Sequence, residues 1–357
     1  MDALRLGSLF DGIGVFPLAA SRYGITPVWA SEIEKSPIAI TKRHFPNMKH
    51  LGDITKIHGG KIPPVHIITF GSPCQNLSNI GNREGLAGRK SSLFYQAIRI
   101  IEEMRCATNE LYPAIAVWEN VMGAFSSNDR MDFRAVLQTF ADTKIPMPDT
   151  GGWANAGMVR GGKSDVCWRL LDAQYWGTPT LAQRRKRIFL VADFRKQRAA
   201  EILFKPRELL PLPPPCTDYG LPSAGASRIS LKETGGRIPV VHPFHERRMR
   251  SAAKAKDESS FLSCFGRADE PFPTLLAKLG NTFSFWYEGE EKDGFLRRLT
   301  PIECERLMGL PEGWTAYGSG GERISDHARC RALGNAIALP CADYIMAGIA
   351  ESVSERG

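Results

Sequence analysis

The amino-acid sequence predicts an α/β fold with an open, doubly wound sheet and a second, smaller and more irregular domain. Short apolar runs typical of buried strands alternate with stretches of helical periodicity through the first half of the chain. A glycine turn follows the first strand, as in folds that bind nucleotides at the edge of the sheet. From about residue 194 to residue 295 this alternation fails, and prolines and basic residues become frequent.

Composition limits the classes of protein that the chain can represent. Of its 357 residues, 43% are hydrophobic and 24% charged, which is typical of a globular protein long enough for two domains. No apolar run could cross a bilayer and the N-terminus lacks the layout of a signal peptide, so we expect a cytoplasmic protein with no membrane partner. The eight cysteines form no C-x-x-C pair, which argues against a metal site. The net charge of +8 is compatible with a polyanionic partner.

The first strand, predicted over residues 4–10, runs directly into the glycine turn Asp11-Gly12-Ile13-Gly14 and then a helix as far as Tyr23. Glycines let a ligand approach the backbone, and the start of the helix offers free N–H groups. The dinucleotide fingerprint requires a small residue where Pro17 stands. The pattern therefore argues against NAD and leaves other adenosine-bearing ligands open.

Two acidic residues follow the next strands. Glu32 comes after a strand predicted over residues 28–31, where a carboxylate can accept hydrogen bonds from a ribose, although it could instead begin the next helix. Asp53, in Gly52-Asp53-Ile54, suggests a contact to an adenine amino group, and helix capping is the competing explanation.

A cysteine follows the strand predicted from Val65 to Phe70. The segment Gly71-Ser72-Pro73-Cys74 places a thiol at the sheet edge where ligands bind in open α/β folds. Most free cysteines are simply buried, so residue type alone does not establish a nucleophile. The polar, basic stretch over residues 78–90 has the composition of a loop that closes on a substrate, and a helix is predicted from there to Met104.

The next predicted strand, over residues 114–118, continues into Glu119-Asn120-Val121. A carboxylate at the ligand-binding edge makes Glu119 a candidate acid. A helix is predicted over residues 132–140, and the glycine- and proline-rich stretch 147–164 is predicted to be a loop.

A run of four cations lies between the last two predicted strands of this region, residues 166–173 and 188–192. The run is part of Gln183-Arg184-Arg185-Lys186-Arg187 and could bind a phosphate or another anion. Farther along, the basic and irregular segment 194–295 is a candidate nucleic-acid surface. Thr300 to Glu303 forms a capping box that predicts the start of a helix.

Taken in order, these motifs closely resemble those of the DNA (cytosine-5) methyltransferases of prokaryotes and phages. The segments that carry the resemblance are Phe10-Asp11-Gly12-Ile13-Gly14, Glu32, Gly52-Asp53-Ile54, Pro73-Cys74-Gln75, Glu119-Asn120-Val121, Gln183 to Arg187, Arg298 to Glu303, and Gly334-Asn335-Ala336. The irregular segment falls where that family keeps its target-recognition domain, and Thr274-Leu275 resembles a Thr-Leu pair near the end of that domain. Two positions depart from the usual pattern, since Asp11 replaces an alanine and Ser8 stands where an acidic residue is frequent.

The resemblance implies a Rossmann-like methyltransferase domain that uses S-adenosylmethionine to methylate carbon-5 of a flipped-out cytosine in double-stranded DNA. Cys74 would add to carbon-6, and Glu119 would bind the exocyclic amine and N3. Arg187 would hold O2 of the base, and Arg185 would lie near Cys74 or a phosphate.

The resemblance also implies binding residues and domain boundaries. The predicted cofactor-binding residues are Phe10, Gly12, Gly14, Glu32, Asp53, Ile54, Pro73, Leu93 and Asn335. The predicted DNA-binding residues are Ser78, Arg89, Lys90, Thr274 and Leu275. The expected division is a catalytic domain over residues 1–195, a target-recognition domain over 196–296, and a segment, 297–357, that returns to the catalytic domain.

Three other functions remain open at this stage. A branch of the family methylates transfer RNA, but its Cys-Phe-Thr tripeptide does not occur here. A catalytically silent DNA-binding protein would not need Cys74, Glu119 and Arg187, and a NAD-dependent enzyme is disfavoured by Pro17. We expect a monomer, with a restriction endonuclease as a possible companion that acts separately.

Overall fold

A computed structural model of the chain describes residues 3–72, 93–149, 151–204, 240–243, 271–277, 284–288 and 295–354. The chain divides into two compact units. The first comprises residues 1–171, 186–205 and 342–357, and the second comprises residues 172–185 and 206–341. Residues 297–341 therefore belong to the second unit in the structure, whereas the sequence-based division joins them to the catalytic domain.

An eight-stranded sheet is built from the first eight strands of the chain. They are β1 (Arg5–Leu9), β2 (Thr26–Ser31), β3 (Lys49–His50), β4 (Ile67–Phe70), β5 (Ile115–Val121), β6 (Ala156–Arg160), β7 (Asp165–Asp172) and β8 (Lys186–Asp193). Their order across the sheet is β3-β2-β1-β4-β5-β8-β7-β6. The first five in this order are mutually parallel, while β5 pairs with β8 and β6 with β7 in antiparallel fashion.

A three-stranded antiparallel sheet is described in the second unit. Its strands, β9 (Val240–Pro243), β10 (Ser284–Glu288) and β11 (Phe295–Arg298), lie in the order β11-β10-β9. Two of these strands, β9 and β10, lie within residues 194–295, where the alternation of strands and helices fails in the sequence.

Eight α-helices are described as well, together with five short 3₁₀ helices. They are α1 (Val15–Arg22), α2 (Lys35–His44), α3 (Leu93–Ala107), α4 (Met131–Ala141), α5 (Ala199–Phe204), α6 (Pro301–Leu307), α7 (Asp326–Asn335) and α8 (Leu339–Ser354). The predicted capping box is confirmed, because Thr300 and Glu303 exchange side-chain to backbone hydrogen bonds at the start of α6. Among the described residues no single helix is long and apolar enough to span a membrane, and α7 with α8 reaches that length only across a 47° bend.

Aromatic side chains dominate the core of the first unit. Phe94 of α3 lies 6.0 Å from Trp118 and 6.1 Å from Phe70, measured between ring centroids, and the three are fully buried. The strands that carry these rings are buried on both faces, as expected where helices cover a parallel sheet. The packing fixes the ends of β4 and β5 relative to each other.

The prediction of a loop over residues 147–164 is wrong in part, because β6 lies within it. This strand alternates exposed and half-buried residues and takes its hydrogen bonds from β7. Gly157 suits that pairing, since a Cβ atom there would lie 2.2 Å from the ring of Trp168. A strand stabilised by its neighbour leaves little local signal in the sequence.

Candidate active site

The candidate site of the first unit is formed by residues at the carboxyl ends of β1, β2, β4 and β5. These strands are parallel, so their carboxyl ends lie on one edge of the sheet. The glycine turn follows β1, Glu32 follows β2, Ser72 follows β4, and Glu119 lies in the last part of β5. The sequence-predicted motifs are therefore brought to a common edge.

The glycine turn has a backbone that few other residues would adopt. Phe10 has a φ of 54°, Gly12 of 58° and Gly14 of 78°. At Gly14 a Cβ atom would lie 2.9 Å from Cγ2 of Thr41, whereas at Gly12 it would meet nothing within 4 Å. The turn is thus packed against α2 on one side and open at Gly12.

Glu32 is held rigidly at the end of β2. Its Oε2 accepts the N–H of Gly12 at 2.9 Å, and its Oε1 accepts the N–H groups of Ile33 at 2.7 Å and Glu34 at 3.0 Å. The carboxylate therefore joins the glycine turn to the chain that leaves β2. Its fixed orientation suits an acceptor for a ligand hydroxyl.

Asp53 makes the capping interaction that the sequence left open. Its Oδ1 accepts hydrogen bonds from the backbone N–H and the hydroxyl of Thr55, at 2.9 and 2.8 Å. The hydrogen bond from the Thr55 backbone is the main reason that the pKa of Asp53 is lowered. The predicted contact to adenine stays a prediction.

Three further residues predicted to bind the cofactor differ in their exposure to solvent. Ile54 is only 4% exposed and belongs to the apolar core, while Leu93 is 37% exposed at the start of α3. In the second unit, Asn335 is exposed at the last position of α7.

Asp11 is a residue whose importance the sequence did not reveal. Its side chain is 9% exposed, and its polar neighbours are the Ser8 hydroxyl and the Glu32 carboxylate. The pKa of Asp11 is raised to about 7, chiefly by burial; a hydrogen bond from the Ser8 hydroxyl lowers it and the nearby negative charge of Glu32 raises it. The sequence signal that could have singled out Asp11 was its departure from the family pattern, which more often has alanine at this position.

Ile33 is a second residue that the sequence analysis did not single out. It is 71% exposed and directly follows Glu32.

Cys74 lies outside the described residues, as do Pro73, Ser78, Arg89 and Lys90. The chain that leads to Cys74 is described as far as Ser72. The indole N–H of Trp118 donates to Oγ of Ser72 at 3.1 Å, and the amide of Asn120 donates to its carbonyl at 3.2 Å. The start of the segment that carries the cysteine is therefore anchored on β5.

Glu119 and Arg187 form an ion pair on the same edge. Nε of Arg187 lies 3.0 Å from Oε1 of Glu119, and their side chains are 15% and 12% exposed. The antiparallel register places Glu119 opposite Phe189, so Arg187 is its diagonal neighbour on the same face of the sheet. Glu119 also lies against the backbone before the cysteine, because a Cβ atom on Gly71 would be 3.0 Å from its Oε2.

Arg185 has different surroundings from those predicted. It is 1% exposed, and its guanidinium donates to the carbonyl groups of Leu275, Gly334 and Ala336 within the second unit. A guanidinium that is 1% exposed and donates to three carbonyl groups is not placed to contact a phosphate, which corrects that part of the expectation; the predicted proximity to Cys74 stays a prediction, because Cys74 lies outside the described residues. Arg185 instead joins two segments of the second unit.

The Thr-Leu pair, Thr274-Leu275, is hydrogen-bonded to the segment Gln183 to Arg187, which also contains Arg185. The hydroxyl of Thr274 donates to the carbonyl of Arg184 at 2.6 Å, and Leu275 is 5% exposed. The side chain of Leu275 therefore lies in the interior, which corrects its prediction as a DNA contact. The exposed apolar neighbour is Leu276, which is 50% exposed.

No group of three or more metal-binding side chains occurs among the described residues.

The chain matches the family model described as C-5 cytosine-specific DNA methylase over residues 4–215 and 225–351. It is 25% identical to a protein of Escherichia phage P1 named DNA N-6-adenine-methyltransferase, covering 100% of this chain and 62% of that protein. It is 26% identical to type II methyltransferase M.HhaI of Haemophilus parahaemolyticus, covering 99% and 96%.

A solved structure also shares the fold. The crystal structure of a DNA modification methyltransferase encoded by an Escherichia coli prophage matches with a TM-score of 0.58 and 17% identity, covering 99% of this chain and 100% of that one. The likeness supports the α/β methyltransferase fold predicted from the sequence.

Proposed function

Because the chain belongs to the C-5 cytosine-specific DNA methylase family, we propose that it transfers a methyl group from S-adenosylmethionine to carbon-5 of cytosine in double-stranded DNA. The observation that carries this proposal is the Glu119–Arg187 pair beside Gly71, three residues before Cys74. An acid and a cation fixed next to the segment that bears a thiol are the groups that activation of a pyrimidine ring requires.

The glycine turn and its surroundings fit the methyl donor. Glu32 is oriented as an acceptor for the ribose hydroxyls, and Gly12 leaves open space for close approach of the ligand. The exposed side chain of Ile33 could cover the apolar face of the adenine ring. When bound, the donor supplies an electrophilic methyl group on a positively charged sulfur.

Cys74 has the role of the nucleophile in this proposal. Carbon-5 of cytosine is too weakly nucleophilic to accept a methyl group unaided. The Cys74 thiolate forms a bond to carbon-6, and the electron pair released makes carbon-5 nucleophilic. Carbon-5 takes the methyl group, and S-adenosylhomocysteine is left as the second product. Carbon-5 then loses its proton to a base, the electrons of that bond re-form the double bond between carbon-5 and carbon-6, and the carbon–sulfur bond breaks to give back the thiolate.

Glu119 and Arg187 would stabilise the ring while Cys74 is attached. Glu119 accepts a hydrogen bond from the exocyclic amine with one carboxyl oxygen and, once protonated, donates one to N3 from the other, so that negative charge formed by thiolate addition is withdrawn from the ring. Arg187 holds Glu119 by its Nε atom and donates to the Lys186 carbonyl from Nη1 at 2.8 Å, so Nη2 is the donor that it can direct to O2 of the base. The ion pair thus orients both groups before the substrate arrives.

The substrate base would have to leave the duplex. Carbon-6 is inaccessible to a thiol inside stacked DNA, so flipping at a cost of about a few kcal/mol is required. The sequence recognised would be read mainly by residues 196–296, most of which lie outside the described residues.

The test is methylation of duplex DNA by purified protein, with bisulfite sequencing of the product. Wild type should protect specific cytosines from conversion, and Cys74→Ser should protect none while still binding DNA. Methylation of N6 of adenine instead, the activity in the name of the phage P1 relative, or methylation of transfer RNA alone, would contradict the proposal. Full activity of Cys74→Ser would exclude the covalent route.

A further inference from the structure

The chain segment that follows β3 is fastened to helix α3 by its backbone. The guanidinium of Arg99 donates to the carbonyl of Ile54 from Nη2 at 3.1 Å and to the carbonyl of Ile57 from Nη1 at 2.7 Å. Oε2 of Glu103, one turn farther along α3, accepts the N–H of Gly59 at 2.6 Å. Two side chains of one helix therefore hold the segment at three points of its backbone.

Arg99 and Glu103 also fix each other. Nη1 of Arg99 lies 2.9 Å from Oε1 of Glu103, and its Nε donates to Oε1 of Gln96 at 2.9 Å. The side chains of Arg99 and Glu103 are 28% and 25% exposed, so this pair is better shielded from solvent than an ordinary surface ion pair. A guanidinium whose donors are shared between a carboxylate and two carbonyl groups keeps one orientation.

Two glycines bring the same segment into direct contact with α3. A Cβ atom on Gly59 would lie 2.1 Å from the carbonyl oxygen of Ile100, and one on Gly60 would lie 3.1 Å from Cβ of Ala107. A residue with a side chain could not approach the helix so closely at Gly59. Close backbone contact and the hydrogen bonds of Arg99 together give the segment a single position on the helix.

The fastened segment begins at Asp53, which caps its first turn. The turn Ile54–Lys56 follows Asp53 directly, and Ile54 is 4% exposed. Oδ1 of Asp53 accepts from the backbone and the hydroxyl of Thr55, so Oδ2 is the oxygen left to accept a hydrogen bond from a ligand. The place of Oδ2 is set by the backbone of residues 53–54, which Arg99 holds at the next carbonyl.

We propose that Arg99, with Glu103, is a positioning residue for adenine recognition: by holding the carbonyl of Ile54 it places Oδ2 of Asp53 to accept a hydrogen bond from the 6-amino group of S-adenosylmethionine. This rests on the cofactor assignment of the proposed function and on the adenine contact predicted for Asp53. A carboxylate accepts from an amino group but repels a carbonyl oxygen, so the site distinguishes adenine from hypoxanthine. Arg99 and Glu103 act through the segment and do not touch the ligand.

Equilibrium binding of two product analogues tests the proposal. S-adenosylhomocysteine carries the 6-amino group, and S-inosylhomocysteine carries a carbonyl oxygen in its place. Wild type should bind the first about tenfold or more tightly than the second, as expected for one hydrogen bond to a charged group. Arg99→Ala should bind S-adenosylhomocysteine about tenfold more weakly and S-inosylhomocysteine nearly as wild type does, so that the discrimination is lost.

Two further variants separate positioning from a general loss of structure. Arg134→Ala is the matched control, because Arg134 is a half-buried arginine of α4 whose Nε donates to the carbonyl of Ile145 at 2.7 Å. Its discrimination between the two analogues should equal that of wild type. Glu103→Gln keeps the size of the side chain and should reduce the discrimination in the same direction as Arg99→Ala, but less. Thermal denaturation gives the stability of each variant.

A double-mutant cycle adds a readout that a merely structural role would not move. Asp53→Ala alone should remove the discrimination. Arg99→Ala added to it should weaken S-adenosylhomocysteine binding by less than about a further twofold, because both changes act on one contact. Losses that multiply would show that Arg99 acts independently of Asp53 and would overturn the positioning role.

The remaining outcomes separate the two proposals. Equal binding of both analogues by wild type would overturn the roles of Asp53 and Arg99 and leave the proposed function intact. Wild-type discrimination in Arg99→Ala, or in Glu103→Gln should Arg99→Ala not fold, would overturn the positioning role alone. No binding of S-adenosylmethionine or S-adenosylhomocysteine by wild type would contradict the proposed function itself.

Discussion

Nε of Arg187 lies 3.0 Å from Oε1 of Glu119, across the antiparallel pairing of β8 with β5. The parallel neighbour β4 pairs with β5 only as far as Trp118, whereas β8 continues the pairing to Val121. The acid therefore lies inside a strand and not on the loop beyond it. A carboxylate held by a strand and a cation keeps one orientation, which general acid chemistry requires.

Arg187→Ala should lower kcat by about a hundredfold or more, because Glu119 loses the cation that orients it and the base loses a donor. DNA binding should change far less. Lys186→Ala is the control, since Lys186 is an exposed cation on the same strand. Equal losses in both variants would indicate a general effect of charge on DNA binding, and would contradict a specific role for Arg187.

Gly71→Ala should reduce activity without unfolding the protein. The added methyl group would lie 3.0 Å from Oε2 of Glu119, so the carboxylate must shift by a few tenths of an ångström. Steady-state kinetics should show a lower kcat with a nearly unchanged melting temperature. Gly162→Ala, where a Cβ atom meets nothing within 4 Å, should behave as wild type. Wild-type kcat in Gly71→Ala would mean that Glu119 tolerates displacement.

Asn120→Ala should release the start of the segment that leads to Cys74. The variant loses the hydrogen bond to the Ser72 carbonyl and one to the backbone of Val121, at a cost of about 1–3 kcal/mol in the free energy of unfolding. We expect kcat to fall more than KM for DNA rises. A urea titration measures the first effect and kinetics the second. A change in KM alone would place Asn120 in DNA binding.

Arg185→Ala should destabilise the protein by about 3 kcal/mol or more, because three buried carbonyl groups lose their donor. Arg184→Ala, at an exposed neighbour, should change stability by less than about 0.5 kcal/mol. Chemical denaturation compares the two. Wild-type stability of Arg185→Ala would show that the buried guanidinium contributes no net stabilisation.

The raised pKa of Asp11 predicts a pH-dependent stability. The pKa of the carboxyl is about 7 in the folded protein against an ordinary value of 3.8, so the group is neutral in both states only below about pH 3. Between these values the unfolded chain loses its proton first, and the native state is penalised by up to roughly 4 kcal/mol at high pH.

Asp11→Asn removes that penalty. Its melting temperature should therefore exceed that of wild type at about pH 8 and equal it near pH 3. Differential scanning calorimetry without ligand measures both. A variant less stable than wild type at the higher pH would show that the ionised carboxyl is stabilised by a partner.

Features that depend on local interactions could be predicted from the sequence. The glycine turn, the acids after successive strands and the capping box at Thr300 depend on residues close together in the chain, so their patterns predicted an α/β fold and its ligand-binding edge. The bounds of β1 and α4 were predicted to within a few residues for the same reason.

Contacts between distant segments decided the rest. Arg185 and Arg187 are two residues apart and equally cationic, yet one meets three buried carbonyl groups and the other meets Glu119. The edge strand β6 exists because β7 pairs with it, and Asp11 is buried because the turn folds against β2. A charge or a strand takes its role from the partner that the tertiary fold brings to it, and that partner is not encoded in the neighbouring residues.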